Sequence, residues 1–579
     1  MKPKATRVPD LLRLRTAAEP DALALVVDGG PALTYRDWDE RSDATARGLS
    51  AEGVTAGARV VLLFDNARWT DYAVCYLAVL KLGAVAVPLS SRFSPAELAA
   101  IAEHAGVAMT VGPSDLTAST GLDPVVEPGF LERAGAAAPP LSAPSSHAGD
   151  LAEIIYTSGT TGTAKGVACT HESILVHDLP PQAPSGRVAF VHAFPVGTNA
   201  GQECLRMPLR RPVTAFVLPT FDPDRLCALV AQRRISRLQL VPAMAEMVVS
   251  SGAAARHDVS SVERVTLSSA PVPPALLPRL AAAFPNATLW NAYALTESGS
   301  ARTLMGYDPR RPGSVGRPVG RTEVRVVDET GADLPAGETG EVWLRRAGAP
   351  RRVYYRDPDA TADAFAGDWL RTGDLGYLDE EGYLYLVDRK KDLIISGGLN
   401  ISSVEVENVL SAHPAVREAA VFGIPHDVLG QAVAAAVVAS SGVEVRQLQS
   451  FARERLGEHK VPRQVFFVDR LPRNPSGKVL KTELRERFVA RAVTAPVAES
   501  PRSEAESAVV AVWQAVLGRE GISVQDDFFD LGGQSLAAAQ VVARLCDAFD
   551  IDLPVTAVFE QPTVAELARA VEHAVAEAR

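Results

Sequence analysis

A strand-like run, Ile154-Ile155-Tyr156, leads into Thr157-Ser158-Gly159-Thr160-Thr161-Gly162-Thr163-Ala164-Lys165-Gly166. Small hydroxyl residues and glycines let backbone N–H groups close around an anion, and a lysine adds counter-charge. That is the composition of a phosphate cradle. A P-loop NTPase needs Ser or Thr directly after its lysine to hold Mg2+. Here Gly166 follows Lys165, so that class fits poorly. A second reactive spacing lies near the C-terminus. Ser535 follows Gly532-Gly533-Gln534 and opens an amphipathic stretch with Leu536, Val541, Val542 and Leu545 able to share one buried face. A serine at a helix N-terminus favours an attached phosphate. Alone, each feature has a plain reading: a surface loop and an N-cap.

Company changes both readings. The loop from Thr157 resembles the signature of the adenylate-forming superfamily: acyl-CoA synthetases, luciferases and the adenylation domains of nonribosomal peptide synthetases. Six further segments resemble its motifs. Asn291-Ala292-Tyr293-Ala294-Leu295-Thr296-Glu297 is similar to the Tyr-Gly-x-Thr-Glu motif, with Ala294 in place of glycine. Upstream, Ser269-Ala270-Pro271 resembles the segment lying along adenine and the acyl pocket. Trp369-Leu370-Arg371-Thr372-Gly373-Asp374 matches the Arg-Thr-Gly-Asp motif. Asp388-Arg389-Lys390-Lys391-Asp392 resembles the hinge between subdomains, and Ser396-Gly397-Gly398-Leu399-Asn400 the glycine loop after it. Pro472-Arg473-Asn474-Pro475-Ser476-Gly477-Lys478 is similar to the loop carrying the catalytic lysine.

The resemblance implies roles. ATP is expected on Thr157, Ser158, Gly159, Thr160, Thr161, Gly162 and Lys165, with Ala270, Pro271, Ala292, Tyr293 and Tyr385 about the base. Thr296 would meet the α-phosphate, Asp374 the ribose hydroxyls, and Arg389 the nucleotide. Lys478, Thr160 and Glu297 would be catalytic. Glu297 would also help hold Mg2+, since a hard cation takes carboxylate oxygen. Lys391 would be the hinge. Ser535, in a segment resembling the Leu-Gly-Gly-x-Ser-Leu motif of carrier proteins, would bear 4′-phosphopantetheine placed there by a phosphopantetheinyl transferase.

These residues need elements to position them. Short Val/Ile/Leu runs (Val60–Phe64, Val85–Leu89, Ala152–Tyr156, Leu238–Val241, Val265–Leu267) alternate with helical stretches such as Pro95–His104. That pattern predicts βαβ units and a mostly parallel sheet. From Glu323 the sequence changes to strands with tight turns, and after Asp392 to a smaller α/β segment. The segment 132–146 reads as a loop. The expected architecture is an α/β core over 1–390, a small α/β subdomain over 391–490, a linker over 491–503 and an all-α helical-bundle carrier over 504–579. The 579 residues exceed one core.

The net charge is −11, and the tail from Glu504 carries most of it, with thirteen acids against four bases. An acidic chain is not a general nucleic-acid binder. The apolar run near Tyr76 is cut by Lys81, so no membrane span is expected. Five scattered cysteines give neither a disulfide framework nor a zinc site. With no apolar leader at the start, a cytoplasmic location is expected.

The substrate follows from fewer residues. Amino-acid-activating relatives present an aspartate to the α-ammonium. Ala193, within Val191-His192-Ala193-Phe194-Pro195-Val196-Gly197, stands at its place. A buried ammonium without a partner is costly. His192, Ala193, Phe194, Gly197, Ala243, Ser268, Ser300 and Ala301 are expected to line an uncharged pocket for an aryl, fatty, hydroxy or keto acid. The function expected is activation of that acid as an acyl-adenylate and its transfer to the chain's own carrier, for use by condensation, ketosynthase or tailoring enzymes. An amine met by another carboxylate such as Glu203, a CoA ligase and an inactive carrier scaffold stay open as alternatives.

Overall fold

The computed structural model describes the chain except residues 1–4, 119, 141–145, 158–163, 177–187, 427–428, 441, 475–476, 493–498, 527, 529–530, 532, 534, 555 and 579. It forms two units: residues 1–391 with 472–480, and residues 392–471 with 481–579.

The first unit is built on two sheets. In one, Arg59–Phe64, Val85–Ser90 and Leu151–Thr157 lie parallel, and their near-continuous apolar sequences are buried on both faces. Leu151–Thr157 then turns back antiparallel into Lys165–Thr170, with Thr157 opposite Lys165. The tip of this hairpin, 158–163, lies outside the described residues and carries the expected phosphate residues Ser158, Gly159, Thr160, Thr161 and Gly162. The other sheet has a parallel centre: Val213–Val217, Val188–His192, Arg237–Leu240, Arg264–Leu267 and Thr288–Tyr293. It continues antiparallel through Thr303–Gly306, Ser314–Pro318, Leu384–Arg389, Trp369–Leu378, Gly340–Arg346 and Thr322–Val327.

Helix Trp69–Leu82 touches strands of both sheets and is buried on nearly every face, as a helix apolar all round must be. This is the run cut by Lys81. That lysine is buried too, with Nζ 2.6 Å from carboxylate oxygens of both Asp39 and Asp43. Among the described residues no helix is long and apolar enough to cross a membrane.

The segment 132–146, expected as a loop, begins as helix: Pro128–Ala137 is helical. Two glycines explain the miss. A Cβ on Gly135 would lie 1.7 Å from the carbonyl oxygen of Ala44, and one on Gly48 2.1 Å from that of Leu131. Only bare backbone lets this helix seat against Tyr35–Ala51. A tertiary contact thus overrides poor local propensity.

In the second unit, a five-stranded sheet within residues 394–467 packs with helix Ser403–Ser411. Helices Glu504–Leu517, Ser535–Phe549, Ala557–Glu560 and Val564–Ala578 follow, around Trp513, Val541, Leu545, Leu567 and Val571. Gly533 is obligatory, because a Cβ there would meet the Phe528 ring at 2.2 Å.

A buried ion pair ties the first unit's layers together. Arg206, on helix Asn199–Arg210, reaches Glu153 of strand Leu151–Thr157 at 2.6 Å, and both side chains are fully buried. The Tyr76 hydroxyl donates to Glu153 Oε2 at 2.8 Å, and Gln202 Nε2 donates to the same oxygen at 2.6 Å. Gln202 also accepts from the Tyr72 hydroxyl. Burial raises both tyrosines' pKa, and the Glu153 charge raises them further, so they remain donors. Removing one partner leaves the other charge buried alone. Arg206→Met should therefore destabilise the fold by about 3–5 kcal/mol. The double variant Arg206→Met/Glu153→Gln should recover part of that loss, both read from denaturant-induced unfolding.

Candidate active site

A cavity of about 640 Å³ opens in the first unit. Its walls come from strand ends and one helix. Ser268 and Ser269 follow strand Arg264–Leu267, and Ala292 to Glu297 run off the end of Thr288–Tyr293. Carboxyl ends of parallel strands are where open α/β sheets bind ligands. Helix Asn199–Arg210 presents Asn199, Glu203, Cys204, Met207 and Arg210, residues spaced to share one helical face. Gly197 has φ +79°, and a Cβ there would lie 2.7 Å from the carbonyl oxygen of Pro88, so only glycine fits that bend.

Ten of the expected residues line this cavity: Thr157, Lys165, Phe194, Gly197, Ser268, Ala292, Thr296, Glu297, Arg389 and Lys478. They come from widely separated parts of the sequence. Arg352 holds the turn at Thr296 by donating to its carbonyl at 2.7 Å. The Tyr354 hydroxyl donates to Glu297 at 2.9 Å, and Lys165 lies 5.1 Å from the centre of the same ring. Burial and the Glu297 charge push the Tyr354 pKa up, so it stays a donor.

Lys478 arrives on a small closed loop. Its N–H donates to Asn474 Oδ1 at 2.8 Å, and the Asn474 N–H returns to the Lys478 carbonyl at 2.9 Å. Gly477, at φ +86°, makes the turn, and Arg473 caps its carbonyl at 2.7 Å. Asn474 itself lines the cavity. It was legible in the motif but had no assigned role.

Behind the wall, Asp374 is buried. It accepts from the Tyr293 hydroxyl at 2.6 Å, and Arg389 Nε lies 3.1 Å from its other oxygen. Residues 374 and 389 are direct partners in adjacent antiparallel strands. Burial, then the Asp374 charge, raises the Tyr293 pKa, so its proton stays on the hydroxyl.

Other expected residues lie off this cavity's lining. Tyr385 stacks on Tyr377, with ring centres 4.9 Å apart. Ala270 and Pro271 do not line the cavity, whereas the expected Ser268 and its neighbour Ser269 do. His192 and Ala193 are buried behind the wall. His192 packs among Trp69, Phe190 and Phe194, and burial pushes its pKa down to about 3. Ala193 packs with Val191 in an apolar core, whereas His192 shares the strand face of Val188 and Phe190, which do line the cavity, and is closed off by its aromatic neighbours. Ala243 and Ala301 pack into apolar cores, and Ser300 lines a separate small recess. The pocket is also not uncharged: Arg210, Arg211, Arg237, Arg264 and Arg302 line it. Alternating Arg-Leu-Gln-Leu at 237–240 and Arg-Val-Thr-Leu at 264–267 was the signal available in the sequence. Lys391 ends the first unit's main segment, and Ser535 is the first residue of its helix.

Of the two described acids on the cavity wall, Glu203 is held by Arg206 and Arg210, so Glu297 is the carboxylate that would help hold a Mg2+ ion together with nucleotide phosphates. Such an ion takes one or two carboxylates plus phosphate oxygens rather than a full protein cage. Among the described residues no group of three acids, histidines or cysteines gathers.

Fold and cavity together define an α/β acid-activating core followed by a small lobe and a helical carrier. The chain matches the AMP-binding enzyme family over residues 12–355, the AMP-binding enzyme C-terminal domain over 405–478, and the phosphopantetheine attachment site family over 507–571. The chain belongs to the AMP-binding enzyme family. It is an ATP-dependent acid–thiol ligase whose adenylation domain is fused to a carrier domain that takes covalent phosphopantetheine. It is 34% identical over 506 residues to the long-chain-fatty-acid–CoA ligase FadD13 of Mycobacterium tuberculosis, covering 83% of this chain and 98% of that protein. It is 31% identical to tyrocidine synthase 2 of Brevibacillus parabrevis, over 95% of this chain and 16% of that much longer protein. ATP-bound MatB from Rhodopseudomonas palustris superposes with a TM-score of 0.74 at 31% identity, over 83% of this chain and 99% of that one.

Ser269 holds φ +72° on the cavity wall, a left-handed conformation that costs a side-chain-bearing residue about 1–2 kcal/mol. Ser269→Gly should keep stability within about 1 kcal/mol of wild type and retain pyrophosphate release. Ser269→Val should lose about 1–2 kcal/mol in thermal denaturation, and activity with it.

Proposed function

We propose that this protein activates a carboxylic acid lacking an α-ammonium and loads it onto its own carrier at Ser535, as a donor for a biosynthetic assembly line. The observation that carries the reading is the convergence of Lys165, Thr296, Glu297 and Lys478 on one cavity of about 640 Å³.

In the first step a carboxylate oxygen attacks the α-phosphorus of ATP. The bond to the β-phosphate oxygen breaks and pyrophosphate leaves. Lys478 neutralises charge where carboxylate and phosphate oxygens meet, and Lys165 does so on the departing phosphates. Glu297 would hold Mg2+, which supplies further charge neutralisation. In the second step the thiol of a pantetheine arm on Ser535 would accept the acyl group. Its sulfur bonds the acyl carbon, its proton passes to solvent, and AMP departs as the carbon–oxygen bond breaks. Exchange of Lys478 for the arm follows from a pivot at Lys391.

Two features support a substrate without an α-ammonium. Ala193 offers no carboxylate. Glu203 already receives Arg206 at 2.8 Å and Arg210 at 2.7 Å, which leaves it poorly placed to serve an ammonium. Similarity to tyrocidine synthase 2 across both domains supports the assembly-line role and, with it, downstream condensation, ketosynthase or tailoring partners.

Intact-mass spectrometry of the phosphopantetheinylated chain with ATP, Mg2+ and pooled acids tests this. Wild type should gain an acyl mass. Ser535→Ala should release pyrophosphate at the wild-type rate with no gain. Lys478→Ala should lose about 10²–10³-fold in adenylation with an unchanged melting temperature. An acyl mass retained on Ser535→Ala sinks the carrier assignment, and a gain only from α-amino acids sinks the substrate class.

A further inference from the structure

Strand side chains alternate between faces, so one wall of the cavity can be read from two short strands. In Arg237–Leu240 and Arg264–Leu267, Leu238, Leu240, Val265 and Leu267 are buried in an apolar core. Arg237, Gln239, Arg264 and Thr266 face the other way and line the cavity. The strands are parallel, with Arg237 directly opposite Arg264 and Gln239 opposite Thr266. Two guanidinium side chains are thus fixed side by side.

Like charges directly opposite on a sheet destabilise it. Burial lowers the Arg264 pKa, and the charges of Arg237 and Arg211 lower it further, against a smaller opposing effect of Glu263. Arg302 lines the same cavity and, with Arg237, lowers the pKa of Arg211. Among the described residues neither Arg237 nor Arg264 has an ion-pair partner. Arg264 lies instead over the Trp290 ring, 5.1 Å from its centre. The two described acids on the cavity wall are occupied, Glu203 by arginines and Glu297 by Tyr354. Apolar residues at 237 and 264 would avoid that repulsion, whereas a bound anion would offset it.

Its position tells which part of the ligand. Arg237 and Arg264 open their strands, whereas Ser268, Ser269 and the Ala292–Glu297 turn lie at the opposite, carboxyl ends. Four residue steps separate Arg264 from Ser268, roughly 13 Å of extended chain. The arginines therefore stand at the end of the cavity away from the activation motifs.

We propose that the acid activated here carries a second carboxylate at its far end, and that Arg237 and Arg264 bind that group in the manner of a guanidinium–carboxylate clamp. The inference rests on the reading of the cavity as an acid-activating site. It replaces a neutral substrate by a dicarboxylic acid, itself without an α-ammonium. The near carboxyl is adenylated while the far one stays ionised against the arginines.

The test measures ATP-dependent pyrophosphate release by the full chain with linear dicarboxylic acids of three to ten carbons and with their monomethyl esters, which keep the length and lose one charge. For at least one length the diacid should exceed its ester at least tenfold in kcat/KM. Arg237→Leu and Arg264→Leu should each raise KM for that diacid at least tenfold and leave kcat within about threefold. They should leave the ester's kcat/KM unchanged or raised, and Arg237→Lys should recover part of the loss. Unchanged or higher melting temperatures exclude misfolding. Esters equal to diacids at every length, or variants that leave the diacid-to-ester ratio unchanged, overturn the anion clamp while adenylation stands. Release with neither series, when other acids from the pool are loaded, also overturns the clamp alone. Release with no acid at all overturns the proposed function itself.

Discussion

The Glu153–Arg206 ion pair is the constraint on which the site depends. Glu153 sits on the strand that delivers Thr157 to the cavity, and Arg206 sits on the helix that forms its opposite wall. The contact joins a strand of one sheet to a helix whose residues line the same cavity. A buried pair is stable only when its remaining lone pairs and protons are met. Tyr76 and Gln202 meet the carboxylate, and Glu203 takes the second arm of the guanidinium. The same helix thereby ties Glu203, an acid on the cavity wall, into the ion-pair network.

A second constraint is local closure around the reactive groups. Lys478 is held by paired hydrogen bonds with Asn474, and the Thr296–Glu297 turn by Arg352 and Tyr354. In each case a residue on the cavity wall is set by a neighbour that orients it. Preorganised charge costs nothing to reorient when the reaction occurs, which is why electrostatic catalysis tolerates little slack.

Much of this was legible in the sequence, for a physical reason. Motifs at strand ends survive as short strings because backbone, turn and side chain are all local there: Thr157, Thr296, Glu297, Arg389 and Lys478 reach one cavity. The rest of the cavity wall was not legible in that way. Much of it is assembled from single residues on one face of each strand, and the face is set by register between strands far apart in sequence. Hence Ala193 falls in an apolar core, His192 is closed off by aromatic neighbours, Ser300 and Ala301 lie elsewhere, and the arginines went unread. The helix Pro128–Ala137 was missed for a kindred reason, since its glycines make sense only against the partner helix.

The arginine pair also shows how a site can burden its own fold. A buried lysine can shed its proton, but a guanidinium cannot at any physiological pH, so repulsion between residues 237 and 264 persists whenever the cavity holds no anion. Stacking on Trp290 softens it without cancelling it, because a ring face attracts a cation less strongly than a carboxylate does. An entering anion therefore relieves strain as well as making new bonds, and a neutral acyl tail of equal length gains neither. The discrimination comes from the cost already built into the cavity, the form in which a protein trades stability for selectivity.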